Sequence, residues 1–268
     1  MRNIEPLYEY YKNIFAMKFF GKEVEYLSER EMDKCTSLAK IWSYKKNIIP
    51  DGFDGFNIFD FNGYDSKDQT LIINPDIALK AKDKICKYCW GVSWNDINEK
   101  QIESDVHQSF EFFSSHRKTL IDRRKSGQNI VIHSSVYGKK GRTFLASLIM
   151  KEAILLKLDY PSLSYSYDWI DFTQLKEAAK KDDYDYAVYR SCDWIVIDNI
   201  TRYTQTPQQK EYWIGVWNNF FLERLEDKLP TILVLKFNLE DKTFDAESEF
   251  GSGFSRIINS DNTVSISL

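Results

Sequence analysis

The sequence predicts an α/β protein built around a parallel sheet. Short apolar runs, such as residues 194–197 and 231–235, are expected to form its strands. Helical patterns lie between these runs, and strands that alternate with helices form crossover units in a parallel sheet. One strand, over residues 129–133, is followed by a loop that contains glycine and lysine and then by a helical pattern. We expect this strand–loop–helix unit to carry the function.

The composition of the 268-residue chain excludes several classes of protein. With 36 basic and 40 acidic residues, and with 15% of its residues aromatic, it is not a disordered chain. Its apolar runs are far shorter than the ~20 residues that span a bilayer. The N-terminal sequence MRNIEPLYEYY has acids and tyrosines where a signal peptide has an apolar stretch. We therefore expect a soluble, cytoplasmic protein with no membrane partner.

Two cysteines, Cys86 and Cys89, have the spacing of half a zinc site. A structural zinc ion needs four ligands, and Cys35 and His107 are conceivable additions, although the chain has no second pair at this spacing. The alternative is that both cysteines lie on a half-buried helix. In a cytoplasmic protein the thiols are expected to stay reduced.

The first part of the chain, residues 1–102, is expected to form a small mixed N-terminal module. It is irregular and rich in aromatic residues, which either anchor a partner or fill the module's own core. The boundary to an α/β domain over residues 103–268 is placed where regular alternation of strands and helices begins. The elements predicted in the module are a helix over 7–20, a hairpin or loop over 52–65 and a helix over 76–90.

The α/β domain begins with a helix that ends in a basic run over residues 116–125, before Gly127. These cations are expected either to contact the phosphates of single-stranded DNA or to form a solvated helix end that complements the helix dipole.

The predicted helices are 104–125, 142–156, a helix from 167 to 181 continued by a second stretch to 190, and 208–225. The predicted strands are 129–133, 163–167, 193–198 and 231–235, with further elements at 253–258 and 263–267.

The loop after residues 129–133 has the chemistry of a phosphate cradle. In the pattern G-x-x-x-x-G-K-[ST], backbone N–H groups bind phosphate and the final hydroxyl reaches Mg²⁺. Gly141 and Thr143 fit the end of this pattern, whereas Arg142 replaces the lysine and Val136 replaces the first glycine. Either of two earlier lysines could supply the missing ammonium group, and the alternative is a basic surface loop. The residues expected to line the cradle are Gly138, Lys139, Lys140, Gly141, Arg142 and Thr143.

A second motif, SCDWIVIDNI, follows about 55 residues later in the chain. Its apolar run ends in Asp198, which places a carboxylate at the carboxyl end of a parallel strand, where α/β sheets bind ligands. In a P-loop NTPase an aspartate at this point holds Mg²⁺ beside the loop hydroxyl, here that of Thr143. The alternative is that Asp198 and Asn199 only begin a turn. The order and spacing of the two motifs favour a nucleotide site.

These motifs resemble those of a known family. The segments SGQNIVIHSSVYGKKGRTFLASLI, CDWIVIDNIT and KLPTILVLKF are similar, in this order, to segments of the AAA+ domain of DnaC/DnaI-type replicative helicase loaders and their IstB transposition relatives. The later Ser255-Arg256-Ile257 is similar to the closing motif of that domain. The resemblance covers residues 104–258. It implies a P-loop NTPase domain with an AAA+-like parallel sheet and without a helical lid.

The resemblance implies a role for each matched residue. Thr143 and Asp198 correspond to the residues that bind Mg²⁺, with ATP as the nucleotide. Arg256 resembles the arginine finger that reaches the γ-phosphate of a neighbouring subunit. Asn199 stands where the loaders have a second acid, and Lys236 stands where they have a sensor asparagine.

The departures from the family predict that ATP hydrolysis is weakened or lost. A neutral amide at Asn199 cannot act as a base, and the forked guanidinium of Arg142 is not equivalent to a lysine. Such departures are typical of a fast-diverging lineage, such as a phage or another mobile element.

The function that the resemblance implies is helicase loading in DNA replication. The expected partners are a hexameric replicative helicase, bound through residues 1–102, and possible further ones are single-stranded DNA and other copies of the chain. One alternative is an AAA+-fold interaction module that works without nucleotide. Another is an IstB-like transposition ATPase.

Overall fold

The computed structural model describes residues 5–33, 35–36, 38–39, 61–65, 70–73, 121–134, 141–159, 165–181, 184–202 and 207–268. The chain divides into two compact units, one of residues 1–100 with 147–164 and one of residues 101–146 with 165–268. The predicted boundary near residue 102 stays a prediction. None of the described helices is long and apolar enough to cross a membrane.

The first unit begins with helix α1 (Glu5–Phe15), which continues into a π-helical turn (Ala16–Phe20). Gly21, at a φ of 62°, ends this turn with the left-handed conformation that glycine adopts without strain. Strands β1 (Phe61–Asp65) and β2 (Thr70–Ile73) pair as an antiparallel hairpin. The predicted helix over 7–20 is therefore present. Of the hairpin or loop predicted over 52–65, only residues 61–65 are described, and the strand with which they pair lies beyond the predicted range. The predicted helix over 76–90, with Cys86 and Cys89, lies outside the described residues.

The second unit contains a sheet of five parallel strands. The strands are β3 (Asn129–His133), β4 (Tyr167–Asp171), β5 (Trp194–Ile200), β6 (Thr231–Leu235) and β7 (Thr263–Ser267). Their order across the sheet is β4-β5-β6-β3-β7, and every neighbouring pair is parallel. The residues of β3 and β6 are all buried, as expected for central strands of a parallel sheet. The predicted α/β fold with a parallel sheet is confirmed.

Residues 121–126 are helical, and six further helices lie in the described part of the chain from residue 142 onward. They are α2 (Arg142–Asp159), α3 (Phe172–Lys181), α4 (Tyr184–Ser191), α5 (Pro207–Glu226), α6 (Ala246–Phe250) and α7 (Ser252–Ile258). Helix α5 contributes Trp213, Trp217, Phe220 and Phe221 to the core. Trp217 is fully buried and stacks on Trp213, which agrees with the prediction that these tryptophans are core residues rather than platforms for bases.

The predicted strand over 163–167 is wrong. The strand is β4, which begins at Tyr167, and residues 165–166 are irregular. Sequence analysis placed this strand too early, because Asp168 and Asp171 interrupt its apolar pattern. One oxygen of each carboxylate accepts a local hydrogen bond: Asp168 Oδ1 accepts from Trp169 N at 2.8 Å, and Asp171 Oδ1 accepts from Thr173 N at 2.8 Å. Since β4 lies at the edge of the sheet, it tolerates such half-buried polar side chains.

Arg224, near the end of α5, is a charged residue inside the second unit. Its guanidinium is fully buried near the amino ends of β5 and β6. It donates to five oxygens at 2.9–3.1 Å, those of Tyr189, Arg190, Cys192, Pro230 and the hydroxyl of Thr231. Arg224 thereby satisfies carbonyl groups at the end of α4, where a cation also complements the helix dipole.

Two glycines allow α7 to pack against α5. A Cβ at Gly253 would lie 2.7 Å from the carbonyl oxygen of Asn218, and Gly251 has a φ of 89°. Asn218 Oδ1 in turn accepts from Gly253 N at 2.9 Å and from Ser252 Oγ at 2.8 Å, which satisfies donors at the start of α7. This contact fixes the helix that carries Arg256.

Candidate functional site

The two sequence motifs meet at the carboxyl end of the parallel sheet. Thr143 is the second residue of α2 and Asp198 is the fifth of β5, and Thr143 Oγ1 donates to Asp198 Oδ1 at 3.3 Å. Gly141, which is buried and has a φ of 114°, directly precedes α2, and its carbonyl accepts the helical hydrogen bond from Leu145 N at 2.8 Å. The structure therefore brings the loop hydroxyl and the strand carboxylate together, as the sequence predicts.

The carboxylate of Asp198 is buried, in surroundings that disfavour its charged form. Its side chain is 4% exposed. Burial raises the pKa of Asp198, and the nearby charge of Asp171 raises it further, whereas hydrogen bonds from Asn199 N and Thr143 and the charge of Lys236 act in the opposite direction. A buried carboxylate whose pKa stays raised despite two hydrogen bonds is one that a bound cation would stabilise.

The backbone is irregular where β5 carries the site. Ile197 is paired with Leu233 and Ile200 with Leu235, so that β5 has one residue more than β6 in this interval. The extra residue is accommodated at Asn199, whose φ is 61°. Such β-bulges re-aim side chains and occur next to active sites, and asparagine is among the residues that adopt a positive φ most readily.

Asn199 connects two carboxylates. Its backbone N donates to Asp198 Oδ1 at 2.7 Å, and its side-chain Nδ2 donates to Asp171 Oδ2, also at 2.7 Å. Asp171 is the last residue of β4 and is paired with Asp198 in the sheet register. Sequence analysis missed Asp171, because the strand that carries it was placed too early. The available signal was an acid followed by Phe-Thr at the start of a helical pattern, which is typical of a strand end that caps a helix.

Arg142 is the first residue of α2 and is half-buried. Burial lowers the pKa of its guanidinium, and the nearby charge of Asp198 opposes this shift. Gly138, Lys139 and Lys140 lie outside the described residues, and their predicted roles in the phosphate loop stay predictions.

Two predicted site residues lie on the surface. Lys236 is exposed directly after β6, where its backbone N donates to Ile200 O at 2.8 Å, and its charge favours the ionised form of Asp198. Arg256 is exposed in the last turn of α7. The hydrogen bonds that join Thr143, Asp198 and Asn199 do not involve Arg256, and an arginine that serves a neighbouring subunit would have to be exposed.

The described side chains fit a magnesium ion. Mg²⁺ prefers oxygen ligands, usually one or two carboxylates together with waters and phosphate oxygens. The site offers the hydroxyl of Thr143 and the carboxylate of Asp198, with that of Asp171 on the neighbouring strand. Because Asp198 is buried beside a second carboxylate, a divalent cation would offset both charges.

Comparisons with known proteins give only structural matches. No protein-family model and no curated protein matches the sequence. The solved structure of DnaI is 14% identical and covers 63% of this chain and 86% of its own, with a TM-score of 0.43. That of the DnaC helicase loader is 16% identical and covers 65% of this chain and 97% of its own, with a TM-score of 0.43.

A replication initiator, DnaA bound to AMPPCP and single-stranded DNA, is 19% identical and covers 64% of this chain and 49% of its own, with a TM-score of 0.40. The solved structures to which this chain is similar thus include DnaI, the DnaC helicase loader and DnaA.

Proposed function

We propose that residues 103–268 form an AAA+-like domain that binds ATP and Mg²⁺ and that the protein is a helicase loader of the DnaC/DnaI type. The observation that supports the nucleotide site most strongly is the hydrogen bond between Thr143 and Asp198. It joins a loop motif and a strand motif at the carboxyl end of a parallel sheet, which is where such sheets bind nucleotides.

The described residues divide the work of binding between phosphate and metal. The N-terminus of α2, with Gly141 and Arg142, would face phosphate oxygens, because free backbone N–H groups and a guanidinium favour anions. Thr143 and Asp198 would hold Mg²⁺. When bound, Mg²⁺ would neutralise charge on the phosphate oxygens.

Hydrolysis is proposed to be slow. Arg142 is half-buried at the start of α2, and its forked guanidinium is less suited than a lysine ammonium to follow a reacting phosphate. Asn199 already uses its amide to bind Asp171. Nucleotide would then act by setting the geometry between subunits, with Arg256 as the contact in trans.

The helicase partner and the role of DNA follow from the resemblance rather than from the geometry. The basic run over 116–125 is the candidate DNA contact, but two of its arginines are already used within the domain. Arg123 is buried and donates to Gln128 Oε1 at 2.8 Å, and Arg124 donates from Nε to Asp193 Oδ1 at 3.0 Å. These contacts favour a structural role for the end of the run.

Nucleotide binding is tested by titrating the full-length protein with a fluorescent ATP analogue, with Mg²⁺ or with EDTA. We expect micromolar affinity that depends on Mg²⁺ and that Asp198→Ala abolishes. Asp193→Asn is a matched control, because Asp193 directly precedes the same strand at its opposite end. Equal binding by the wild type and Asp198→Ala, or no binding at all, would contradict the proposed site.

Helicase loading is tested separately, by co-purification of the full chain with the hexameric replicative helicase of its host. A loader that binds its helicase through residues 1–102 should capture it with or without nucleotide, and Asp198→Ala should still do so. If the helicase is not captured while Mg²⁺-dependent ATP binding is present, the protein is an AAA+-like nucleotide-binding protein with another partner, such as a transposition system.

A further inference from the structure

We propose that Asp171 supplies the second acid of this site and that Asn199 holds it in place. This inference rests on the proposed binding of ATP and Mg²⁺. It gives Asn199 a different role. The sequence suggests that Asn199 only replaces an acid, whereas in the structure it donates hydrogen bonds to two carboxylates. The acid would thus have moved from the residue after Asp198 to the end of the neighbouring strand.

The geometry places the carboxylate of Asp171 beside that of Asp198. The two residues are register partners on adjacent parallel strands. Both oxygens of Asp171 are fixed by hydrogen bonds, Oδ1 from Thr173 N at 2.8 Å and Oδ2 from Asn199 Nδ2 at 2.7 Å. A side chain with both oxygens anchored is held in one orientation before any ligand binds.

An asparagine suits position 199 for two physical reasons. Its amide can donate to Asp171, whereas an aspartate there would place a third carboxylate next to Asp171 and Asp198 and would repel both. In addition, its backbone has a φ of 61° within the bulge of β5, a conformation that asparagine tolerates well.

The positioned carboxylate can still accept further hydrogen bonds. Each carboxylate oxygen has two acceptor sites, so the contacts with Thr173 and Asn199 leave one on each. Asp171 is only half-buried, which leaves it accessible to water. Because Mg²⁺ in proteins keeps several of its waters, we assign Asp171 the role of accepting a hydrogen bond from a water of the bound cation. Asp171 is therefore a positioning residue, and Asn199 positions it in turn.

A purely structural role for Asp171 would be to begin α3 through its contact with Thr173. The substitution Asp171→Asn separates the two roles, because asparagine retains an oxygen for this contact and caps helices as well as aspartate does. The substitution removes the negative charge. It can also place an amide NH₂ group where Asp171 Oδ2 now accepts from Asn199 Nδ2. The control is Asp168→Asn. Asp168 lies on the same strand, and its carboxylate accepts from the backbone N of the next residue, Trp169.

The experiment measures, on the full chain, the Mg²⁺ concentration that half-saturates binding of a fluorescent ATP analogue. Asp171→Asn should raise it by ~10–100-fold, as loss of an outer-shell partner of a metal typically does. Binding without Mg²⁺ and the melting temperature should be unchanged. Asp168→Asn should leave all three quantities unchanged.

The exchange variant Asp171→Asn/Asn199→Asp tests the hydrogen bond between these two side chains. It keeps one amide and one carboxylate but exchanges their positions. We expect it to need less Mg²⁺ than either single variant. The inference is overturned if Asp171→Asn has the same Mg²⁺ requirement as the wild type. It is also overturned if Asp171→Asn weakens Mg²⁺-free binding as much as Mg²⁺-dependent binding and lowers the melting temperature, because the role of Asp171 would then be structural. In either case the proposed nucleotide site still stands. If the wild type shows no Mg²⁺-dependent binding, both proposals fail.

Discussion

Thr143 Oγ1 and Asp198 Oδ1 are 3.3 Å apart although 55 residues separate them in the sequence. One lies in the first turn of the helix after the loop, and the other lies near the end of an interior strand of the sheet. Their hydrogen bond holds a hydroxyl and a carboxylate in place for a cation. A site that is preorganised in this way has less entropy to lose when its ligand binds.

Asp198→Asn is expected to stabilise the protein in the absence of ligand while it abolishes Mg²⁺-dependent binding. The raised pKa of Asp198 means that, above that pKa, the folded state bears the cost of a buried charge that the unfolded state does not. Asparagine keeps an oxygen for Thr143 and Asn199 N. The gain in melting temperature should therefore be present at neutral pH and should vanish at acid pH, where Asp198 is protonated. A loss of stability at neutral pH would instead show that the carboxylate is structural.

Asp193→Asn should have the opposite effect on stability. Burial alone would raise the pKa of Asp193, but hydrogen bonds from Ser166 and Arg124 lower it overall. A lowered pKa stabilises the fold above the unfolded-state value of ~3.9, and this stabilisation is lost as the pH falls through the folded-state value. We expect a cost of about 1–2 kcal/mol at neutral pH, from weakened charged hydrogen bonds. Urea titrations should show that the difference from wild type disappears in acid.

Gly253→Ala should destabilise the second unit by about 1–3 kcal/mol, because its Cβ would lie 2.7 Å from the carbonyl oxygen of Asn218. Backbone cannot move aside as the end of a long side chain can. The matched control is Gly215→Ala on α5, where nothing lies within 4 Å of the new Cβ. Alanine there should stabilise by about 0.5–1 kcal/mol through helix propensity. Equal effects of the two substitutions in urea unfolding would contradict the tight contact between α5 and α7.

Arg224→Lys should cost about 2–4 kcal/mol, because an ammonium group cannot reach five oxygens that a planar guanidinium satisfies. Arg190→Lys serves as a control. Arg190 pairs with Glu223 near the surface, and its side chain is 37% exposed, so its replacement should cost less than about 1 kcal/mol. Thermal unfolding of both variants gives the comparison, and a similar loss in each would show that the buried contacts of Arg224 are not decisive.

Much of the second unit could be predicted from the sequence. Strands β3 and β6 were predicted with the bounds that the structure has, because each contains an unbroken apolar run of three or four residues. Strand β4 was misplaced, because its identity depends on pairing with β5 rather than on its own composition. Edge strands carry weak patterns, since one side is not covered by a neighbouring strand.

The sequence by itself determined the order of the motifs, the parallel sheet and the identity of Thr143 and Asp198 as partners. Local patterns suffice for these, because apolar runs and a glycine-containing loop specify a strand, a turn and a helix without reference to the rest of the chain. Only the tertiary structure decided what Asn199 does. Its amide meets Asp171 because β4 lies next to β5 and because a bulge turns the backbone at this point, and neither the pairing of distant strands nor an extra residue in one of them is encoded in adjacent sequence.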